Sequence, residues 1–102
     1  MDRIAMLSEI LIANPEDSFA RYGLGQEYSN AGQFDQALQE FKTLIEKNPD
    51  YTPAYFMAAQ TLAKADRTDE AKRMLVDGIS SARRTGNTHA QSEMTAMLEE
   101  LG

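Results

Sequence analysis

The side chains best suited to chemistry in this 102-residue sequence are its single histidine and a pair of adjacent carboxylates. His89 and Glu93 are four residues apart, a spacing that places both on one face of a helix. Two ligands are nevertheless fewer than the roughly three or four protein ligands that zinc takes. The Glu99-Glu100 pair is more typical of a solvated helix face than of an acid–base pair. We therefore expect no enzyme, no metal site and no cofactor.

Composition narrows the classes of partner. The chain carries 16 acidic and 10 basic residues, for a net charge of −6, so it repels phosphate backbones and we expect no nucleic-acid partner. It has no cysteine, which excludes disulfides and thiolate metal sites. Asp2 stands where a secretory signal needs basic residues, and the apolar run 10–13 is too short for such a signal. No apolar stretch approaches membrane-spanning length. We expect a cytoplasmic protein without a membrane partner.

The elements that must position any site recur with a period of 34 residues. Asn14-Pro15 recurs as Asn48-Pro49. Self-similarity at such a period is typical of stacked helical repeats. Other sets at the same spacing are Leu7, Phe41 and Leu75; Leu11, Ile45 and Ile79; Tyr22 and Phe56; and Gln26 and Gln60.

Within each period, apolar residues recur at steps of three and four, which indicates amphipathic helices, and no segment alternates as a strand would. The punctuation agrees. Thr52 before Pro53 predicts an N-cap followed by proline, and Thr88 with Gln91 has capping-box spacing. Gly32 is suited to the left-handed end of a helix. The sequence thus predicts an all-α fold with helices at 2–13, 17–30, 35–47, 52–65, 69–84 and 87–101.

Residues 18–51 resemble the tetratricopeptide repeat, whose pattern is W-x2-L-G-x2-Y…A-x3-F…P. Arg21 stands in the tryptophan position, and every other position matches. The resemblance implies one domain, a right-handed α-solenoid of antiparallel helix hairpins. It divides the chain into a half repeat (1–17), two repeats (18–51 and 52–85) and a capping helix (86–102). The matching residues are Leu24, Gly25, Tyr28, Ala37, Phe41 and Pro49.

The repeat register also assigns positions to residues near the two ends. Gly25 and Ala71 fall where paired helices approach most closely, so larger side chains would separate the helices. Glu93 and Arg3 occupy the corresponding small-residue positions of the last and first helices. Because those helices lack a hairpin partner, their charges can reach water, and we expect the chain to be a complete unit. His89 falls in the tryptophan position, where we expect it to pack between helices.

The resemblance implies a concave groove that binds a protein or peptide, as an adaptor or scaffold does. Aromatic, methionine and amide side chains offer large contact area and hydrogen bonds. The positions that correspond to the family's carboxylate clamp hold Tyr22, Gln26, Met57 and Gln91 rather than Lys, Asn or Arg, so binding of a chaperone tail is not expected. The alternative for several groove residues is that they fill the interhelical core. The eight expected groove residues are Phe19, Tyr22, Gln26, Asn30, Phe56, Met57, Gln60 and Lys64.

A second interpretation concerns the first helix. Leu7 and Ile10 occupy positions that face the partner helix of a hairpin, and here that partner is absent. Met6 widens the apolar strip. An uncovered strip of this kind on a small protein often marks an interface. The alternative function is therefore a self-associating structural unit that forms a weak homodimer through this helix.

Overall fold

The computed structural model describes residues 2–102, and all of its regular elements over that range are helices. The predicted all-α solenoid is thus confirmed. Helix ends differ from the predicted ones by at most one residue; the fourth helix, for example, ends at Lys64. The six helices are α1 (Arg3–Ala13), α2 (Ser18–Asn30), α3 (Phe34–Lys47), α4 (Thr52–Lys64), α5 (Thr68–Thr85) and α6 (Thr88–Leu101).

Each helix packs mainly against the next helix in the chain, and in addition α2 touches α4, and α4 touches α6. The helices α2, α4 and α6 therefore share one side of the stack, with α1, α3 and α5 behind them. The core follows the same order. One cluster, with Leu7 and Leu24, joins α1 to α2. A second surrounds Phe41 and Leu62, and a third surrounds Leu75 and Met94.

Three of the helices begin with a side-chain cap. Asp2, Asp17 and Asn87 each accept a hydrogen bond from a backbone amide three residues further on, which satisfies one of the unpaired donors of a helix start. The predicted cap at Thr88 is wrong, because Thr88 is already helical and the Asn87 amide oxygen makes the bond. The donors are the amides of Ala5, Ala20 and Ala90.

The predicted cap at Thr52 is also wrong. The residue at the cap position of α4 is Tyr51, without a side-chain cap bond, and Thr52 is the first helical residue. Its hydroxyl instead lies 2.9 Å from the Ser81 hydroxyl, buried between α4 and α5. The Thr52 hydroxyl thus has a hydrogen-bond partner on the neighbouring helix. A buried hydroxyl without a partner would cost free energy of folding.

In both repeats, the side chain at the tryptophan position donates a hydrogen bond to the turn that precedes its helix. Arg21 Nη2 donates to the Pro15 carbonyl at 3.1 Å, and the Tyr55 hydroxyl donates to the Pro49 carbonyl at 2.7 Å. These two pairs are equivalent in the 34-residue repeat. Arg21 also forms a half-buried ion pair with Glu40 at 2.8 Å. A long side chain with an N–H or O–H donor can therefore replace the tryptophan.

Helices α2 and α3 approach closely at Gly25 and Phe41. A methyl group at Gly25 would lie only 2.5 Å from Phe41 Cε1, well below the distance of an ordinary van der Waals contact. In the second repeat the same two positions hold Ala59 and Leu75, both fully buried. The smaller leucine leaves space for the alanine methyl. One repeat therefore pairs a glycine with a large ring, and the other pairs an alanine with a smaller side chain.

Two turns use a left-handed backbone residue at the same place in the repeat. Gly32 has φ 77°, as predicted, and Asp66, 34 residues later, has φ 60°. Glycine takes this conformation without steric cost, whereas a side chain at such φ is strained by about 1–2 kcal/mol.

The Gly25–Phe41 contact predicts a compensation. Gly25→Ala should lower the free energy of unfolding by about 1–3 kcal/mol, because the methyl clashes with the ring. Combined with Phe41→Leu, which recreates the second repeat, the loss should be at least about 1 kcal/mol smaller than the sum of the two single changes. Urea unfolding followed by circular dichroism measures all three variants. Glu93→Leu, at an exposed site, is the control and should change stability by no more than about 0.5 kcal/mol. Additive losses would contradict the contact.

The left-handed turns predict opposite effects at equivalent residues. Asp66→Gly should raise the free energy of unfolding by about 0.5–1 kcal/mol, because it removes the strain of a side chain at positive φ. Gly32→Ala should lower it by about the same amount. Thermal and urea unfolding measure both variants. Destabilisation by Asp66→Gly would mean that the aspartate makes a compensating interaction at this turn.

Candidate functional site

A cavity of about 270 Å³ lies on the side of the stack formed by α2, α4 and α6. It lies between the N-terminal halves of these helices. Three equivalent positions of the repeat meet there, occupied by Tyr22, Phe56 and Ala90. Two of them hold rings and the third only a methyl group, so the cavity opens where a third ring would have continued the row. The other lining residues are Thr52, Pro53, Asn87, His89 and Glu93.

The two rings belong both to the cavity and to the core. Tyr22 packs at a tilt on Phe41, with ring centroids 6.2 Å apart, and on Tyr51, at 5.6 Å. Phe56 packs against the cluster around Leu75. Burial, and to a smaller extent the neighbouring Tyr51, raises the pKa of the Tyr22 phenol. The Tyr22 hydroxyl is therefore neutral at pH 7 and can donate a hydrogen bond.

Of the eight predicted groove residues, Tyr22 and Phe56 line the cavity. The other six lie elsewhere on α2 and α4. Phe19, in the first turn of α2, is 78% exposed, and Met57 packs partly against the cluster around Phe41. A binding role for all eight remains a prediction. Asn30 and Lys64 are exposed, and Gln26, Met57 and Gln60 are half-buried.

The sequence interpretation missed the contribution of α6. Asn87 and Ala90 line the cavity, and they follow Pro53 and Phe56 by one 34-residue period. The same repeat register that assigns positions to His89 and Glu93 also assigns positions to these two residues, so it could have found them. Thr52 and Pro53 were interpreted as helix-start signals, and they also form part of the cavity wall.

The prediction that His89 packs between helices is wrong. Its side chain is 86% exposed, and its Nε2 lies 3.2 Å from Glu93 Oε1. In the inner repeat the equivalent Tyr55 is covered by α5, whereas no helix of residues 2–102 follows α6 to cover His89. The pair also stands without a third metal ligand, since the described residues contain no group of three or more histidine or carboxylate side chains suited to a metal.

The predicted apolar strip on α1 is smaller than expected. Leu7 is buried, because it packs against Ala20 and Leu24 of α2. Met6 and Ile10 are exposed, as predicted. Arg3, at the N-terminal end of the helix, pairs with Glu27 of α2. Self-association through α1 stays a prediction, now limited to these two apolar side chains.

None of the helices described between residues 2 and 102 combines the length and apolar character that crossing a bilayer requires. The predicted cytoplasmic location is not tested by this observation.

Comparison with known proteins identifies relatives over most of the chain. The family model for the tetratricopeptide repeat matches residues 28–92. A TPR repeat-containing protein of Pseudomonas aeruginosa is 25% identical over 95 residues, which cover 93% of this chain and 90% of that protein. The solution structure of a tetratricopeptide repeat domain protein from Salinibacter ruber is 34% identical, with a TM-score of 0.81 over 86% of this chain and 89% of its own.

A third similarity shows the fold alone. The crystal structure of PcrH from Pseudomonas aeruginosa, in complex with the chaperone binding region of PopD, superposes with a TM-score of 0.89. It is 19% identical and covers 96% of this chain and 74% of that one.

The shared role of the rings predicts a cost in stability. Tyr22→Ala and Phe56→Ala should each lower the free energy of unfolding by about 1–3 kcal/mol, because each removes a half-buried ring from a core cluster. Phe19→Ala is the matched control at an exposed ring and should change stability by no more than about 0.5 kcal/mol. Urea unfolding measures the three variants. An equal loss at Phe19 would show that the ring packing differs from that described here.

Proposed function

This chain belongs to the tetratricopeptide repeat family, and we propose that it is a protein–protein interaction module whose cavity between α2, α4 and α6 binds a peptide or helix of its partner. The single observation that carries the proposal is the cavity with two half-buried rings on its wall. The proposal requires neither catalysis nor a cofactor.

The size of the cavity favours one side chain of a polypeptide as its occupant. Pockets that enclose a whole small molecule have volumes of about 300–1,000 Å³. An apolar cavity of about 150 Å³ already accommodates benzene. The volume here, about 270 Å³, therefore suits one large apolar side chain with its backbone at the opening. The complex of PcrH with a region of PopD supports this, because a protein of the same fold holds a polypeptide segment.

The rings are suited to recognition because they are already held in place. Tyr22 contacts Phe41 and Tyr51, so little side-chain freedom is lost when a partner covers the exposed part of its ring. Interface aromatics often contribute more than about 1 kcal/mol to binding. One turn along the same helices, Gln26 and Gln60 are half-buried. Their amides can bond the backbone of a segment whose apolar side chain occupies the cavity.

The test is a substitution, Ala90→Phe, that fills the cavity without removing any existing side chain. Peptides are first selected on the wild-type protein from a displayed library of random sequences about 12 residues long, and one selected peptide is labelled. Ala90→Phe places a third ring in the row, so we expect its affinity for this peptide, measured by fluorescence anisotropy, to fall by at least about tenfold.

The matched control is Ala96→Phe, the same substitution at an exposed position of α6, which should change the affinity by less than about twofold. Circular dichroism and urea unfolding verify that both variants are folded. If no peptide is enriched, the proposed function is wrong. Binding that survives Ala90→Phe would place the contact surface outside the cavity.

A further inference from the structure

We propose that the partner segment is basic: a large apolar side chain enters the cavity, and a lysine or arginine of the same segment pairs with Glu93. The inference rests on the proposed function and adds the chemical class of the partner. Glu93 carries the one carboxylate on the cavity wall.

Glu93 has no permanent cation beside it. Its carboxylate lies on the cavity wall with 48% of the side chain exposed. Within residues 2–102 the basic group within 4 Å of it is His89, and an imidazole is charged only when protonated. A guanidinium or ammonium group from a partner would therefore be the first fixed positive charge beside Glu93.

Two of the amide donors at the helix starts around the cavity are already bonded. Unpaired amides in the first turn of a helix are what make a helix N-terminus an anion site. Here the Ala20 amide is bonded to Asp17, and the Ala90 amide to Asn87. Pro53, in the first turn of α4, has no N–H to offer. An acidic segment would thus find these two amides taken and would meet the Glu93 carboxylate.

The basic residues of the inner helices do not offset this charge. Arg21 is engaged with Glu40 and the Pro15 carbonyl. Lys64 is the last residue of α4, at the opposite end from the cavity. The carboxylate of Asp17 adds a second negative charge at the start of α2. The carboxylates of Glu93 and Asp17 therefore favour a positively charged partner, whose association they also accelerate.

The spacing on α6 sets the spacing expected in the partner. Ala90 and Glu93 are three residues apart, so the carboxylate lies about one helical turn, roughly 5 Å, from the hollow that Ala90 leaves. In a helical segment, the basic residue would then lie three or four positions from the apolar side chain. In an extended segment the separation would be one or two positions.

The experiment uses the same displayed library on the full chain and on two variants. Wild-type protein should enrich peptides that carry lysine or arginine within four positions of a large apolar residue. Glu93→Lys should reduce the affinity for the best of these peptides by at least about tenfold and should enrich peptides with aspartate or glutamate instead. Glu99→Lys makes the same charge change on the same helix, away from the cavity, and should keep the wild-type preference within about twofold.

Each outcome has one meaning. Enrichment of acidic or uncharged peptides by the wild type would overturn the inference while leaving the proposed function in place. The inference is overturned in the same way if Glu93→Lys and Glu99→Lys weaken binding equally, since net charge rather than Glu93 would then set the preference. A selection that enriches nothing counts against the proposed function itself, and with it the basic partner.

Discussion

The structure depends on how closely α2 and α3 approach at Gly25 and Phe41. Because no side chain separates them, the Phe41 ring lies directly on the backbone of α2. From there it supports the ring of Tyr22, one turn earlier on α2, with centroids 6.2 Å apart. A wider hairpin would move Tyr22 away from Phe41 and remove the cavity wall. The position of Tyr22, which lines the cavity, thus depends on the absence of a side chain at Gly25.

The same two rings, Tyr22 and Phe56, stabilise the fold and line the cavity of the proposed binding site. Tyr22 and Phe56 are half in the core, which limits their motion and prepares their exposed parts for contact. The same fact means that truncating either ring alters both folding and binding. Folding and binding can be tested separately at Ala90, where the row of rings is interrupted. A larger side chain at this position would fill the cavity without removing a side chain from the core. The cavity is therefore a gap in a repeating pattern, and its size follows from the one small residue in the row.

Much of the fold could be predicted because stacked repeats rely on neighbours in the chain, and the 34-residue period shows directly in pairs such as Pro15 and Pro49. Gly32 was predictable because a left-handed turn leaves few choices of residue. Two of the errors, at Leu7 and His89, occurred where burial depends on which helices are present. Leu7 is buried because α2 covers it, and His89 is exposed because no described helix covers that side of α6. Of the site, the two rings were predicted, but the contribution of α6 to the cavity was not.

The end of the stack explains why the cavity carries a charge. In the two inner repeats, the position of Glu93 holds Gly25 and Ala59, both packed under a following helix. A carboxylate there would be buried without a partner, at a cost that neither repeat could bear. On α6 the covering helix is absent from the described structure, so the position tolerates a glutamate and the charge reaches the cavity wall. In the complex that we propose, the departure from the repeat pattern that keeps this helix compatible with water also distinguishes one partner charge from another.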